Sequence, residues 1–534
     1  MTIGNINFVE SAPSGVVPLA EVALRLHPQD HVAVAKANLQ AGTLLDLGAS
    51  SPEKVRVRRF IPSGHKVALS DIAVGEIVRR HGQAIGFATQ PIPAGEHVHT
   101  HNLGVQDFAR DYAFGVDVQP VVYVPEAERR TFLGYQRSNG RVGTRNYIAI
   151  ISTVNCSAHT CREITGYFTQ ERLAAFPNVD GVIALTHHFG CATRVGGLDY
   201  VLLQRTLAGM ARHPNVGACI LVGLGCETNQ IADLVENYGL GQNGHGGGMH
   251  WPPSLILQDL GGIRKTVRAG IAQVEELLPE VNMAQRSPQP LSELMVALQC
   301  GGSDGWSGVT ANPVLGLVAD EVVRQGGTAV LAETPEIYGA EHLLTRRAVS
   351  PEAGQKLVAK VRWWEEHAQR LGLEIDNNPS HGNKVGGLTT IYEKSLGAVA
   401  KGGSTPLAGV YDYAEPVTAR GFTFMDSPGY DPISVTGQVA GGCNLVVFTT
   451  GRGSVFGFKP APSIKVATNS TTYERMVEDM DVNAGRVLAD ATLEEVAAEL
   501  LELAVAVASG QPSKSEAQGV GEAEFSPWSV GGTL

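Results

Sequence analysis

The sequence predicts a multidomain α/β protein, in which a small β domain precedes two α/β regions with mainly parallel sheets. A chain of 534 residues is long enough for several domains. Up to about residue 105, short β-branched runs alternate with turns that contain Gly or Pro, which is typical of a turn-rich β domain. Beyond residue 130, apolar strand-like runs alternate with helical patterns, which is typical of parallel sheets covered by helices.

The chain divides in order into five predicted parts. Residues 1–28 form an N-terminal extension, and residues 29–105 form the β domain. Residues 106–130 lack a clear period and are predicted to be a linker. A first α/β domain follows at 131–288. A second covers 289–534 and ends in an amphipathic helix at 493–508 and a tail. The strand candidates of the two α/β domains are 146–154, 180–188, 216–224, 254–260, 293–299, 328–332, 420–426, 444–450 and 463–467.

Composition restricts the kind of partner. The formal net charge is −12 and no Lys/Arg-rich run occurs, which argues against a nucleic-acid-binding protein. No apolar run approaches the roughly 18 residues of a membrane span, so we expect no membrane association. The seven cysteines are scattered over a long chain, which favours reduced thiols and a cytoplasmic location. A small-molecule partner is therefore expected, and the oligomeric state, including a homo-oligomer, is left open.

Cysteines follow four strand candidates directly. Ligands of open parallel sheets bind beyond the carboxyl ends of the strands, so these positions carry the most information. Thiolates there are able to hold iron, an iron–sulfur cluster or zinc, but a free cysteine is also a common buried residue, and no CxxC pair distinguishes the two interpretations. The four residues are Cys156, Cys191, Cys226 and Cys300.

Histidines form the second candidate set. His97, His99 and His101 alternate in HVHTH, and alternation along a strand places them on one face, as a first-row metal site requires. A polar strand edge would look the same. His187 is a stronger candidate because it lies at a strand end close to Cys191, and His65 lies in the turn SGHK.

Four Gly-rich turns carry polar or cationic side chains: GRVGTRN, CGGSDGWSG, NPSHGNKVGG and TTGRGS. Glycine lets the backbone approach a ligand closely, and Arg or Lys beside it suits carboxylate or phosphate oxygens. The alternative is that each is an ordinary turn. Neither a Walker A motif nor a GxGxxG after a strand occurs, so nucleotide binding is not predicted.

These motifs, in this order, resemble the altronate/galactarate dehydratase family over nearly the whole chain, from IPSGHKVALSDI to IKVATNS. The resemblance implies an N-terminal SAF-type β-clip domain followed by a catalytic dehydratase region. HVHTHN and ETPEIYGAEHLL are more similar to altronate dehydratases than to galactarate dehydratases. The expected reaction is therefore dehydration of D-altronate to 2-dehydro-3-deoxy-D-gluconate, with galactarate or another sugar acid as the alternative and a sugar-acid-binding module as the non-enzyme alternative.

The family further implies an Fe²⁺-dependent enzyme that tolerates Mn²⁺, and an iron–sulfur cluster is left open. A divalent cation offsets the negative charge that develops when a proton next to a carboxylate is removed. From motif placement we assign catalytic roles to His65, His187 and Lys465. We assign metal ligation to Cys156, Cys191, Cys226, His99 and His101. The expected substrate-binding residues are Lys66, Arg145, Asn146, Ser303, Asp304, Lys384 and Arg452.

Overall fold

The computed structural model describes residues 15–48, 54–108, 110, 112–240 and 252–530. The predicted loop at 241–250 and residues 1–14 of the predicted extension lie outside these residues. The described chain forms the expected α/β multidomain architecture: small β sheets at the N-terminal end are followed by two parallel sheets with helices.

The β domain consists of short strands in three small sheets, together with one helical turn. It begins earlier than predicted, because Val16–Pro18 pairs with Leu44–Asp46 and Ala23–Leu24 pairs with the strand at 32–35. Its elements are β1 (Val16–Pro18), α1 (Leu19–Val22), β2 (Ala23–Leu24), β3 (Val32–Ala35), β4 (Leu44–Asp46), β5 (Lys54–Arg56), β6 (Lys66–Ala68), β7 (Ile77–Arg80), β8 (Gln83–Ala88), β9 (His97–Val98) and β10 (Leu103–Gly104).

The second domain is built on a four-stranded parallel sheet of order β14-β13-β15-β16. All six residues of β13, YIAIIS, are buried, as expected for a strand covered on both faces. The elements are β11 (Thr131–Gln136), β12 (Val142–Gly143), β13 (Tyr147–Ser152), α2 (Ala158–Gly166), α3 (Gln170–Leu173), β14 (Gly181–Leu185), α4 (Leu198–Ala211), β15 (Val216–Gly223), α5 (Ile231–Tyr238), β16 (Ser254–Ile256), α6 (Leu257–Leu260), α7 (Ile263–Asn282) and β17 (Ser287–Pro290).

The third domain carries a seven-stranded parallel sheet. Its elements are β18 (Met295–Cys300), α8 (Ala311–Arg324), β19 (Thr328–Ala332), α9 (His342–Thr345), α10 (Pro351–Leu371), α11 (His381–Val385), α12 (Ile391–Ala400), β20 (Leu407–Tyr411), β21 (Gly421–Met425), α13 (Asp431–Ala440), β22 (Leu445–Thr450), β23 (Ser463–Ala467), α14 (Ser470–Arg475), β24 (Val482–Asn483), α15 (Leu493–Ala508) and α16 (Lys514–Ala517).

The strand order of this sheet, β20-β21-β19-β18-β22-β23-β24, locates a crevice. The chain proceeds from β18 towards one edge and from β22 towards the other, so the order reverses between these two adjacent strands. Ligands of open α/β sheets bind at such a reversal, beyond the carboxyl ends of the strands. The turns CGGSDGWSG and TTGRGS follow β18 and β22 and therefore lie at this crevice.

Both faces of the large sheet are covered. One face packs against α8 and α15, with Val296, Leu331 and Val447 in that core. The other face packs against α13 and, through it, against the second domain, with Phe448 and Val446 in a core that also includes Leu207 of α4. The second domain is thus fixed to the third by a continuous apolar core.

Candidate active site

Three glycine turns from the β domain and the third domain meet at a single point. A Cβ on Gly305 would lie 2.0 Å from the carbonyl oxygen of Gly64, and a Cβ on Gly387 would lie 2.4 Å from the same oxygen. The amide of Gly305 also donates to the carbonyl of Gly386 at 2.9 Å. These glycines are therefore needed for close approach between two backbones, and they bring SGHK, SDGW and KVGG together.

A buried ion-pair network fixes this contact. Glu393, on α12, accepts from both Lys66 Nζ, at 2.8 Å and 2.9 Å, and Arg80 Nη1, at 2.5 Å. Its Oε2 also accepts from the amide and hydroxyl of Thr389. Burial alone would raise the pKa of Glu393, but the charges of Lys66 and Arg80 outweigh it and lower that pKa to about 2. The carboxylate is therefore ionised.

Lys66 is saturated by this network, since its Nζ donates to Glu393 and also to the carbonyl of Gly387 at 2.7 Å. Its side chain is 0% exposed. These contacts argue against the predicted role in substrate binding. They indicate instead that Lys66 holds the β domain against the third domain, next to His65.

Three histidine rings converge beside this network. The side-chain nitrogens of His65, His97 and His99 lie within 4.8 Å of one another, and His65 Nδ1 is 3.0 Å from His97 Nε2. β9 ends at Val98, so the predicted alternation along a strand does not produce this grouping. Instead, buried Asn102 accepts from the His99 amide and donates to the His97 carbonyl, and this turn brings His99 back towards His97.

The chemistry of the three rings fits a metal ion. His65 Nε2 lies 3.2 Å from the carbonyl of Val385, an acceptor only, so Nε2 carries the proton and Nδ1 presents its lone pair to the cluster. Ligating histidines commonly donate their other N–H to a backbone carbonyl in this way. His99 Nδ1 is buried without a hydrogen-bond partner. The orphaned His99 nitrogen and the His65 lone pair, with the His97 ring in reach once its Nε2 gives up its proton, form the donor set that a first-row divalent ion takes.

The rings are neutral, as ligands must be. Burial, aided by the charge of Lys66, lowers the pKa of His65 to about 4. Burial and neighbouring rings lower the pKa of His97 to about 2, and burial with Lys66 lowers that of His99 to about 3. His101 is exposed and contacts the ring of His97, 5.6 Å away between centroids, but it is not part of the group of three.

The turns after β18 and β22 form the wall of the crevice. Arg452 is exposed, and its Cδ lies 3.1 Å from the position of a Cβ on Gly386, which places it between TTGRGS and KVGG. Lys384, at the end of α11, is half-buried, and Ser303 lines a cavity of about 20 Å³. Arg452, Lys384 and Ser303 thus lie around the point where the histidine-bearing turn docks.

Asp304 has a different role from the one predicted. Its carboxylate accepts from Thr468, Asn469 and Ser307 and from the Trp306 amide. Burial raises the pKa of Asp304, and these hydrogen bonds oppose the rise. Because protein donors occupy the carboxylate, Asp304 holds the turn in shape, and this argues against its predicted role in substrate binding.

Two predicted substrate residues belong to the interior. Arg145 forms an ion pair with Glu516 at 2.7 Å and donates to the carbonyls of Thr144, Val507 and Gln511. The side-chain amide of Asn146 donates to the carbonyls of Asn178 and Val281, and the residue is 0% exposed. The donors of both residues are satisfied by the protein. Arg145 attaches the second domain to the C-terminal segment, whereas the contacts of Asn146 lie within the second domain. These contacts argue against the predicted substrate roles of both residues.

The same holds for two predicted catalytic residues. Lys465 Nζ donates to the carbonyl of Phe456 and to the hydroxyl of Ser515, and the side chain is buried. His187 uses both ring nitrogens on backbone groups, with Nε2 facing the Ser152 carbonyl at 2.9 Å and Nδ1 accepting from the Phe189 amide at 3.1 Å. These contacts indicate that Lys465 and His187 stabilise the fold and argue against their predicted catalytic roles.

The predicted thiol ligands are on the second domain. Cys156, Cys191 and Cys226 are exposed and follow the adjacent strands β13, β14 and β15. Their loops are joined, since the Asn155 amide donates to the Phe189 carbonyl and the Asn229 amide to that of Gly190. Among the residues that the structure describes, however, the group whose ligand atoms lie close enough together to bind one ion contains three imidazoles and no thiol. The thiols and His99 therefore do not belong to one ligand group, and metal ligation by the thiols stays a prediction.

Several residues at the site had not been selected from the sequence. His97 had been noted in HVHTH but not chosen as a ligand. Arg80, Glu393 and Lys394 carried no motif signal, because a Glu-Lys pair on a helix and an Arg at a strand end usually face solvent. Only the fold shows that they are buried at a domain contact.

Comparison with known proteins places this geometry in a family. Three family models match the chain: "Altronate/galactarate dehydratase SAF domain" at 21–106, "D-galactarate dehydratase/Altronate hydrolase, second domain" at 134–282 and "D-galactarate/Altronate dehydratase, C-terminal" at 291–533. The chain belongs to the altronate/galactarate dehydratase family. Dehydratases of this kind are hydro-lyases, so the protein is an enzyme of that class, and the resemblance noted in the sequence is confirmed.

The matches to curated relatives extend over nearly the whole of this chain and nearly the whole of each relative. Altronate dehydratase of Bacillus subtilis (strain 168) is 36% identical over 91% of this chain and 95% of its own length. Altronate dehydratase of Escherichia coli (strain K12) is 36% identical over 92% and 96%. Galactarate dehydratase (L-threo-forming) of the same organism is 35% identical over 91% and 93%. None of the helices among the described residues is both long and apolar enough to cross a membrane.

Proposed function

We propose that this protein dehydrates D-altronate to 2-dehydro-3-deoxy-D-gluconate in the cytoplasm, at the crevice between β18 and β22. The observation that carries the proposal is the meeting of the His65, His97 and His99 rings with the turns that bear Arg452 and Lys384. Neutral nitrogen ligands next to two cationic side chains suit an oxygen-rich, anionic substrate.

The cationic side chains bind and orient the substrate. Arg452 offers a planar fork of donors that matches a carboxylate, and Lys384 offers a second positive charge. Ser303, in the turn after β18, is 2% exposed and would reach a substrate hydroxyl group through a water molecule in the small cavity that it lines. Removing the C2 proton concentrates negative charge on the adjacent carboxylate, so donors fixed there in advance lower the barrier.

Divalent iron is the proposed cofactor, with manganese as a substitute, and His65, His97 and His99 would hold it. Bound there, it would act as a Lewis acid towards substrate oxygens. His65 is better suited to this ligand role than to the acid/base role predicted for it, because its Nδ1 faces the cluster. The exposed thiols of Cys156, Cys191 and Cys226 favour an iron–sulfur cluster as the second candidate, at a separate place on the second domain.

The choice of altronate rests on motifs. Identity alone does not separate the two substrates, at 36% to altronate dehydratases and 35% to galactarate dehydratase. HVHTHN and ETPEIYGAEHLL are more similar to altronate dehydratases, and the first of these supplies two of the three clustered histidines. Galactarate, with a second carboxylate, is the alternative substrate.

The test is an anaerobic assay of the full chain with added Fe²⁺, following 2-oxo acid formation from D-altronate, galactarate and related sugar acids. The proposal expects the highest kcat/KM with D-altronate. A higher kcat/KM with galactarate would refute the substrate choice. Tight binding of D-altronate without turnover, in the presence of Fe²⁺, would refute the enzymatic function and favour a binding module.

A further inference from the structure

A second cluster of ionisable groups lies buried behind the crevice, at the carboxyl end of the large sheet. It contains three carboxyl groups, two lysines and one thiol, none of which has a ligand or substrate-binding role in the site described above. Its members come from four elements that end or begin at this edge. They are Cys300 at the end of β18, Glu333 and Glu336 after β19, Lys394 and Lys401 in and after α12, and Asp431 at the start of α13.

Glu333 is the unusual member. Its side chain is 1% exposed, and both carboxyl oxygens lack a hydrogen-bond partner. Its backbone has φ +72° and ψ 74°, a left-handed conformation that costs a non-glycine residue about 1 kcal/mol or more. The Ser427 hydroxyl holds its amide at 3.0 Å. Such strain and an orphaned acid persist where function requires them.

Charge balance indicates how the cluster is protonated. With every acid ionised and both lysines charged, three negative charges face two positive charges. The excess negative charge would lie on Glu333, whose carboxyl oxygens have no hydrogen-bond donor. An uncompensated buried charge costs several kcal/mol. One proton held on Glu333 or Asp431 removes the excess. In agreement, burial and the nearby Glu336 raise the pKa of Asp431 to about 7, and burial with Glu336 and Asp431 raises that of Glu333.

Glu333 interacts electrostatically with Lys401. From Lys401, a chain of contacts leads to a small cavity beside the crevice. Lys401 Nζ lies 3.0 Å from Cys300 Sγ, and the thiol lies 3.9 Å from Glu336 Oε2. Glu336 pairs with Lys394, which also donates to Asn378 at 2.7 Å. Lys394 lines the cavity of about 20 Å³ that Ser303 also lines. That space suits about one water molecule and is too small for a sugar acid.

We propose that Glu333, Asp431, Lys401, Cys300, Glu336 and Lys394 form a buried proton-transfer chain that supplies the proton lost with the substrate hydroxyl group. The proposal rests on the dehydratase function proposed above. Dehydration breaks the C2–H and C3–O bonds, and the hydroxyl group leaves with the bonding electron pair. A proton from Lys394, passed through a water molecule in that small cavity, converts it to water, and Glu333 and Asp431 restore the proton of the chain. The C2 proton goes to solvent, and one solvent proton returns to Glu333 and Asp431 before the next turnover. The enol then takes a proton at C3 and loses its O–H proton to become the 2-oxo acid.

The first test is Glu333→Gln, which keeps the shape of the side chain and removes its transferable proton. We expect kcat to fall by about 100-fold, the contribution typical of a positioned acid. Because the acid must be protonated, the wild-type rate should fall as pH rises above the pKa of the Glu333–Asp431 pair, and this limb should disappear in the variant. Thermal stability should not fall, since the variant removes an unpaired buried acid.

The control is Glu341→Gln, a buried glutamate of the same segment that pairs with Arg110 instead. It should lose stability and keep the wild-type pH profile. Wild-type kcat and pH dependence in Glu333→Gln would overturn the proposal. Loss of one equivalent of bound iron in that variant would also overturn it, because the cluster would then be a metal site.

A second pair of variants tests the path itself. Cys300→Ala interrupts the contact between Lys401 and Glu336, whereas Cys300→Ser keeps a donor and acceptor there. We expect at least a tenfold loss of kcat and a larger solvent isotope effect in Cys300→Ala only. Equal rates in the two variants would overturn the path.

Infrared spectroscopy separates this proposal from the proposed function. At neutral pH the wild type should show a protonated-carboxyl band that Glu333→Gln lacks, whether or not any sugar acid is turned over. Its absence in the wild type would overturn the proposal, whereas inactivity towards every sugar acid, with the band present, would refute the proposed function alone.

Discussion

Replacing Glu393 with alanine tests the docking of the β domain. The substitution leaves the buried cations of Lys66 and Arg80 without their shared counter-charge, and they are 0% and 5% exposed. Breaking a buried pair in this way costs about 3–5 kcal/mol. The pKa of Glu393, about 2 against an ordinary value of 4.5, gives a similar figure of about 3 kcal/mol.

The sign of the pH dependence follows from the lowered pKa. The stabilisation by Glu393 is fully present above pH 4.5, where the unfolded carboxyl is also ionised, and it is lost as the pH falls towards about 2. The wild type should therefore lose stability over this window, and Glu393→Ala should lose less.

Urea unfolding at neutral pH measures the loss, and limited proteolysis within 106–130 reports separation of the β domain. The matched control is Glu502→Ala, which removes an exposed pair with Arg130 and should cost less than about 1 kcal/mol. A loss below 1 kcal/mol in Glu393→Ala, with wild-type resistance to proteolysis, would refute the reasoning.

Three further predictions concern the crevice, the glycine contact and the thiols. Arg452→Ala should lower kcat/KM by about 10–100-fold, as loss of a charged hydrogen bond implies, while the surface variant Arg486→Ala stays at the wild-type value; equal kinetics would remove Arg452 from the site. Gly305→Ala should destabilise the protein, because its Cβ would meet the Gly64 carbonyl at 2.0 Å, whereas Gly382→Ala meets nothing within 4 Å; equal melting temperatures would contradict the docking. The variant in which Cys156, Cys191 and Cys226 are all replaced by Ser should retain iron and activity. If the wild type is brown and this variant loses the colour, the iron is instead held in a thiol-bound cluster.

Much of the fold was predictable because local signals agree with the tertiary structure. The predicted strands at 328–332 and 463–467 match β19 and β23, and the predicted final helix at 493–508 matches α15. α15 begins with a capping box between Thr492 and Glu495, a signal that depends only on residues close together in the sequence. Buried parallel strands are likewise visible as apolar runs.

The site was less predictable because the partners that decide each role are distant in sequence. Arg145 in a Gly-rich turn looks the same whether it faces a substrate or Glu516, which is 371 residues away. Lys66 similarly meets Glu393 only in the folded protein. The HVHTH pattern did locate two members of the histidine cluster, but the turn made by Asn102, and not a strand, brings His99 into the cluster.

The central claim is that the histidine cluster holds the iron used in sugar-acid dehydration. Anaerobic measurement of iron content and D-altronate turnover in His99→Ala tests it most directly, with His159→Ala, an exposed histidine on α2, as the control. We expect His99→Ala to lose bound iron and turnover together while remaining folded, and the control to keep both. Full iron content and full turnover in His99→Ala would contradict the claim.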